Sequence, residues 1–301
     1  MFKKILIIGN GSSGKKHLIA LNTINKKFNI QHVSSRKFKS TFGNNFFKLI
    51  KFDPDYFVIA SPSSHHYKFI SIIERFFKKK IILIEKPLFN KKHKPLTKIK
   101  NNYYIGYNLR YHPVLRFIKN YIKNKKIYFA QVDCLTYLPD WRKGDYRKTV
   151  SARKKLGGGV KLELSHEIDY LHWIFGDLNI LYSYNKKISN LDIDCDDFLS
   201  LNAQTKKNIF INLNLNFFSK ILSRKILING ENFSLLGDLI KNKIVLIENK
   251  KKKNYKFKKF NILKSYIEEH KDLIKKNYTI SCSYKEAIKI QNTLDQIKVT
   301  L

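Results

Sequence analysis

Ile5-Leu6-Ile7-Ile8-Gly9-Asn10-Gly11-Ser12-Ser13-Gly14 decides how this chain is read. Four consecutive branched aliphatic residues suit a strand that is apolar on both faces. The glycines that follow fit G-x-G-x-x-G in the setting that pattern requires, between a strand and a helix. In such a turn Gly9 reverses the chain tightly, Gly11 leaves the backbone open to a pyrophosphate, and Gly14 lets helix and strand pack closely. The amides of Ser12, Ser13 and Gly14 then open the helix as free donors for phosphate oxygens. The stretch predicts a dinucleotide-binding turn.

Working outward, residues 5–8, 30–33, 56–60, 81–84 and 103–105 are short apolar runs rich in β-branched and aromatic types. Segments of helical length, such as 15–27 and 66–78, separate them. Strand-helix alternation of this kind predicts a doubly wound α/β domain with a parallel sheet, a Rossmann domain, over 1–110. After about residue 110 the texture changes. A helix-like stretch at 113–124 leads into strand candidates at 126–138, 179–188, 197–203, 208–217 and 225–228. The run from Asn208 to Phe217 mostly alternates polar and apolar residues, the mark of a strand with one exposed face. Residues 111–283 therefore read as an α+β domain with an open, mostly antiparallel sheet. The tail carries Ala287, Ile288, Ile290, Leu294 and Ile297 on one stripe, so 284–301 reads as a helix packing back on the core. No helix is predicted over one face of the sheet, so apolar surface is left to cover, and the expectation is a homodimer or homotetramer.

Candidate site residues sit at the carboxyl ends of the predicted parallel strands, where open α/β sheets bind ligands. About twenty residues past Gly14 the chain reads Ser34-Ser35-Arg36-Lys37. An NAD-selective site places an acid here for the ribose 2′-hydroxyl. Hydroxyls and two cations instead suit a 2′-phosphate, so NADP is slightly favoured over NAD, the other reading being two more surface charges. Ser61 and Pro62 follow the strand ending at Ala60 and should flank the cofactor together with His66. Without a neighbouring Cys or matching acid, His65 and His66 read as loop-stabilising groups, and no metal is expected. Glu85-Lys86-Pro87 follows the next strand; an acid beside a Lys can fix the ammonium for proton transfer.

These motifs occur in order, followed by Gly106-Tyr107-Asn108-Leu109-Arg110-Tyr111-His112-Pro113, then Gly157-Gly158-Gly159 and Ser165-His166-Glu167-Ile168-Asp169. Together they resemble the Gfo/Idh/MocA oxidoreductase family over residues 1 to about 177. The resemblance implies an NAD(P)-dependent enzyme moving a hydride between nicotinamide and a secondary alcohol or ketone of a sugar, nucleotide-sugar or cyclitol. Residues 145–166 look most like the branch encoded among bacterial surface-polysaccharide genes. By the same resemblance, Lys86 contacts the reacting hydroxyl and the nicotinamide region, and His166 is the general acid/base. Asp169 orients His166, and Pro87 follows a peptide bond that is often cis. Arg110, His112, Trp141 and Arg147 become substrate-side candidates. The chain departs from the family at one position: where many members carry an Asp four residues before the His, this sequence has Leu162. Glu163, three residues before His166, is the candidate substitute, one helical turn away. The departure also motivates the alternative of a catalytically inactive NAD(P)-binding sensor or structural protein.

Composition bounds the rest. With 59 Lys+Arg against 23 Asp+Glu the chain carries a net charge of +36, which suggests a polyanionic partner. Yet only eight of the basic residues are Arg, the type that binds phosphate bidentately, and Lys is scattered from end to end. The charge therefore reads as a solvated surface in a chain of biased codons, with no nucleic-acid partner expected. A 43% hydrophobic content rules out a disordered basic tail. No apolar run approaches the roughly 20 residues a membrane span needs. Gly9 ends the first apolar run short of the roughly 7–15 residues of a signal peptide, so the expected location is cytoplasmic. Cys134, Cys195 and Cys282 are far apart and suggest neither disulfide nor zinc.

Overall fold

The computed structural model describes residues 3–35, 50–94, 96 and 98–298 and divides the chain into two units. The first comprises residues 1–108 and 261–288, the second 109–260 and 289–301.

In the first unit, β1 (Lys4–Ile8), β2 (Asn29–Val33), β3 (Tyr56–Ile59), β4 (Ile81–Glu85) and β5 (Asn102–Gly106) form a parallel sheet in the order β5-β4-β3-β1-β2. Ile5 to Ile8 and Tyr56 to Ile59 are essentially without solvent exposure, as strands covered on both faces should be. α1 (Ser12–Ile24) and α2 (His66–Phe76) fall where the sequence predicts helices, with ends differing by a few residues. Strand order reverses between β1 and β3, which makes the carboxyl ends of β1, β3 and β4 the ligand-binding end.

Two later segments also belong to this unit. α6 (Ile262–Ile274) packs on α1, its first turn capped by the Asn261 side chain accepting from the Leu263 amide. The two-residue strand β14 (Cys282–Ser283) adds antiparallel to β5. Residues 261–283 thus cluster with the first unit rather than within a second domain of 111–283. The physical reason is burial: Tyr266, His270 and Leu273 fill the space over α1 and the sheet.

In the second unit, α3 (Pro113–Tyr121) starts with His112 as N-cap and Pro113 at its first position. An eight-stranded sheet follows in the order β13-β12-β11-β10-β6-β9-β8-β7. Its strands are β6 (Ile127–Tyr137), β7 (Leu178–Lys186), β8 (Phe198–Thr205), β9 (Phe210–Asn216), β10 (Phe218–Gly230), β11 (Phe233–Asp238), β12 (Lys243–Glu248) and β13 (Lys251–Lys256). Every pairing is antiparallel except β6 with β9. The edge strand β13 carries Lys251, Lys252, Lys253 and Lys256, all exposed, which discourages pairing with another chain.

The alternation in β9 places Ile211, Leu213 and Leu215 inside. The opposite face is less apolar than expected. Asn212 donates to Asn202, Asn214 donates to Asp133 and Asn212, and Ser200 donates to Asn214, at 2.7–3.1 Å. This amide ladder satisfies the centre of that face, leaving exposed apolar residues such as Tyr182, Phe210, Ile221 and Leu222 in other parts of the sheet. Two short helices separated by one residue, α4 (Val160–Glu163) and α5 (Ser165–Phe175), connect β6 to β7. The last helix, α7 (Tyr284–Gln296), buries Ala287, Ile290 and Leu294, with Ile288 only half-buried. Among the described residues, no helix is long and apolar enough to cross a membrane.

Candidate functional site

The turn after β1 is built for close approach. Gly9 has φ +129°, and a Cβ there would lie 2.2 Å from the Ala60 carbonyl oxygen. A Cβ on Gly14 would lie 1.8 Å from the Gly9 oxygen, so helix and turn touch backbone to backbone. The Gly9 amide donates to the Val33 carbonyl and His32 bonds to the Gly9 carbonyl, both at 2.8 Å, which fixes the turn against β2. Around Gly11 there is open space, with nothing within 4 Å of a Cβ, and no side chain caps the first turn of α1. Free amides over an open cradle fit a pyrophosphate. The residues present therefore fit a dinucleotide, with Gly11, Ser12, Ser13 and Gly14 as its phosphate donors.

This geometry yields a first expected result. Gly14→Ala forces backbone apart, at a cost of about 1–3 kcal/mol. Affinity for NADH or NADPH should fall about ten- to a hundredfold, read by nucleotide fluorescence titration.

Ser35 is half-buried just beyond β2, whereas Arg36 and Lys37 lie outside the described residues. Ser61 is buried at the end of β3, and Pro62 leads the helical turn Ser63–His65. His66 is corrected from cofactor contact to brace. It is fully buried, with Nε2 bonded to the Ser61 carbonyl at 3.0 Å and Nδ1 3.1 Å from the carbonyls of Pro87 and Leu88. Burial lowers its pKa although those carbonyls pull the other way. It ties the Ser61–Pro62 loop to the turn carrying Lys86, where the Lys86–Pro87 peptide is cis.

Glu85 likewise faces inward, not toward a cofactor. It is 9% exposed; Oε1 accepts from His17 and from the Tyr266 hydroxyl, each at 3.1 Å, and Oε2 accepts from the Lys86 amide at 3.3 Å. Burial works to raise its pKa, but the hydrogen bonds from His17 and Tyr266 and the charge of Lys86 hold it well below the carboxylate range. Lys86 itself is half-buried and partly open to solvent.

In the second unit α5 is tied along its length. Arg110 donates to both oxygens of Asp169 (Nη2 to Oδ1 2.8 Å, Nε to Oδ1 3.0 Å and to Oδ2 3.2 Å), and its guanidinium lies 5.7 Å from the Trp173 ring. Arg224 donates to Glu167 at 2.7 Å, and His172 bonds to Thr293 at 2.9 Å. Ser165, Glu167 and Asp169 are fully buried while His166 between them is half-exposed, so these anchors present His166.

Three expectations are corrected here. Arg110 is 2% exposed and engaged with Asp169, so the two form a buried pair and not an open substrate surface. His112 is equally buried; its Nδ1 accepts from the Val114 amide and its Nε2 donates to the Leu239 carbonyl. Burial pushes its pKa down to about 4, so it is a neutral helix cap. Leu162 is buried, and Glu163 ends α4 half-exposed. The chain leaves helical geometry at Leu164 (φ −97°, ψ 28°), so Glu163 and His166 do not share a continuous helical turn. Trp141 meets Phe217 edge-on at 5.1 Å, and Arg147 pairs with Asp145 at 2.8 Å while remaining half exposed. Among the described residues no group of three or more His, Cys, Asp or Glu could hold a metal ion.

No family model and no curated protein matches the sequence. Solved structures do. The chain is similar to UDP-N-acetylglucosamine 3-dehydrogenase from Acidithiobacillus ferrooxidans, with 14% identity over 98% of this chain and 96% of that one and a TM-score of 0.74. It is similar to levoglucosan dehydrogenase, solved with NADH, with 14% identity over 98% and 95% and a TM-score of 0.78. The WlbA dehydrogenase from Bordetella pertussis, solved with NADH and UDP-GlcNAcA, gives 15% identity over 99% and 95% and a TM-score of 0.72. This chain has their two-domain fold. At such identities the agreement concerns fold, and the site must be argued from the residues above.

Proposed function

We propose that this chain is an NAD(P)-dependent oxidoreductase acting on a secondary alcohol, or the matching ketone, of a sugar or nucleotide-sugar. The observation that carries the reading is the uncapped, open glycine cradle at the carboxyl end of β1, with Lys86 presented at the carboxyl end of β4 in the same sheet. The fold shared with dehydrogenases that act on UDP-N-acetylglucosamine and levoglucosan supports the substrate class. NADH in two of those structures supports the nicotinamide cofactor, and the choice between NAD and NADP rests on residues 34–37.

When bound, the dinucleotide supplies the acceptor or donor for the hydride. The protein handles the proton. In oxidation, the substrate carbon gives up a hydride while its hydroxyl gives up a proton, and His166 takes that proton as general base. Lys86, at the carboxyl end of β4, is the candidate hydrogen-bond donor to a reacting oxygen, where its ammonium favours developing negative charge. Glu163 is the candidate carboxylate to assist His166. Trp141 and Arg147 are candidates for the substrate wall, Arg147 for an anionic group. A homo-oligomer would cover the exposed Tyr182, Ile221 and Leu222 of the second sheet.

The deciding assay incubates purified protein with a panel of sugars and nucleotide-sugars and either cofactor, reading nicotinamide absorbance at 340 nm. Turnover of at least one sugar-like alcohol or ketone is expected. Tight NADH binding with every compound inert would favour the non-catalytic reading, which the buried Leu162 at the usual Asp position motivates.

A further inference from the structure

Behind Glu85 lies a buried cluster that the chemistry above does not use. His17 on α1 bonds through Nε2 to Glu85 Oε1 at 3.1 Å and through Nδ1 to His270 Nε2 at 2.9 Å. His270 on α6 bonds through Nδ1 to the Tyr56 hydroxyl on β3 at 2.8 Å. His17, His270 and Tyr56 have no solvent exposure. Among the described residues, the titratable and charged groups around this line include Glu85 at the end of β4, Lys86 just after it, His66 on α2, Tyr266, Glu269 and His270 on α6, and Tyr56 on β3.

The donor inventory gives the line a direction. An ionised carboxylate only accepts, so His17 Nε2 carries a proton toward Glu85. A neutral ring has one N–H, which leaves His17 Nδ1 as an acceptor that His270 Nε2–H must fill. His270 Nδ1 then accepts in turn, and the Tyr56 O–H fills it. Burial keeps the His270 pKa well below its ordinary value, consistent with a single proton on that ring. Every donor in the line therefore points toward Glu85. A second proton on His17 would reverse each bond beyond it and leave Tyr56 as acceptor.

We propose that Tyr56, His270 and His17 are positioning residues, a one-way hydrogen-bonded relay that holds Glu85 ionised and aimed beside Lys86. Their bearing on catalysis rests on the oxidoreductase reading; the relay itself is testable without turnover. If the hydrogen bond from His17 is lost, desolvation is left to dominate, and the pKa of Glu85 rises. A Gln in place of His17 offers an N–H donor and a carbonyl acceptor in the same order, whereas Leu offers neither.

The test uses full-length protein labelled with 15N-histidine and 13C-glutamate, with signals assigned through His17→Gln, His270→Gln and Glu85→Gln. Both rings are expected as the Nε2–H tautomer at pH 7. The Glu85 carboxyl titration midpoint is expected to rise by about one pH unit or more, a tenfold change in proton affinity, in His17→Leu and to stay near wild type in His17→Gln. Should His17→Leu fail to fold, Tyr56→Phe removes a single hydroxyl and is expected to shift the His270 Nδ1 resonance as that nitrogen loses its donor, while the Nε2–H tautomer imposed from the Glu85 side persists. A proton on His270 Nδ1 in the wild type overturns the proposal. So does an unchanged midpoint in His17→Leu, a Gln variant as disturbed as the Leu variant, or an unchanged His270 Nδ1 resonance in Tyr56→Phe. If the expected signatures appear while every sugar is inert, the oxidoreductase reading fails and the relay stands. With a substrate in hand, kcat should fall in His17→Leu with KM for the nucleotide unchanged, and Gln should restore it.

Discussion

Lys86→Met is expected to lower kcat about 10²–10⁴-fold, the range that removal of a positioned proton-handling group commonly costs. Met keeps the length and apolar stem of the side chain while removing its charge and its donors. NADH affinity should remain within about threefold, because the phosphate donors are the backbone amides at Gly11–Gly14 and not this side chain. The turn that carries residue 86 should also persist, since His66 holds it through the carbonyls of Pro87 and Leu88. Single-turnover absorbance measurements beside fluorescence titration separate the two effects. Equal losses in kcat and nucleotide affinity would move Lys86 from the chemistry to cofactor binding. Full activity would remove it from the reaction altogether.

Why some of this was legible in sequence and some was not follows from the range of the forces involved. The turn from Gly9 to Gly14 is a local device: its steric demands involve residues close in sequence, and Gly is the residue type that meets them. The apolar runs of β1, β3 and β4 and the alternation in β9 are also local, so both sheets were readable. Strands β11 to β13 and helix α6 carry no comparable local signal. In β13 the run of Lys at 251–253 hides the strand, because an exposed edge has no apolar face to display. In α6 the buried positions include Ser265, Tyr266, Glu269, His270 and Asp272, so its inner face is polar and gives a weak apolar period. That face is polar because it answers His17 and Glu85. His270 meets a partner 253 residues away, and no spacing along a chain announces such a pair. The same limit governs the buried polar residues of the second unit. Arg110, His112 and Asp169 carry groups that chemistry could use, and in sequence they are indistinguishable from catalytic ones. Burial decides, and burial is a property of the packed chain.

Arg110 and Asp169 supply the largest expected effect on stability. The two side chains are 2% and 0% exposed, and the guanidinium meets both carboxylate oxygens within 3.2 Å. Removing either partner leaves the other charge buried without its counter-ion, which typically costs about 3–5 kcal/mol. Arg110→Met and Asp169→Leu should each lower the melting temperature of the second unit by roughly 6–20 °C, at about 2–4 °C per kcal/mol for a unit of this size. The pair need not be a net source of stability, because desolvating both ions offsets much of their attraction. The double replacement Arg110→Met with Asp169→Leu should therefore melt well above either single variant. Calorimetry of the four proteins closes a double-mutant cycle, and the coupling energy should exceed about 2 kcal/mol, within the range found for residues in one buried network. A double variant as unstable as the sum of the singles would mean that the two residues act separately. α5, and with it His166, would then be held by Arg224 on Glu167 and by His172 on Thr293.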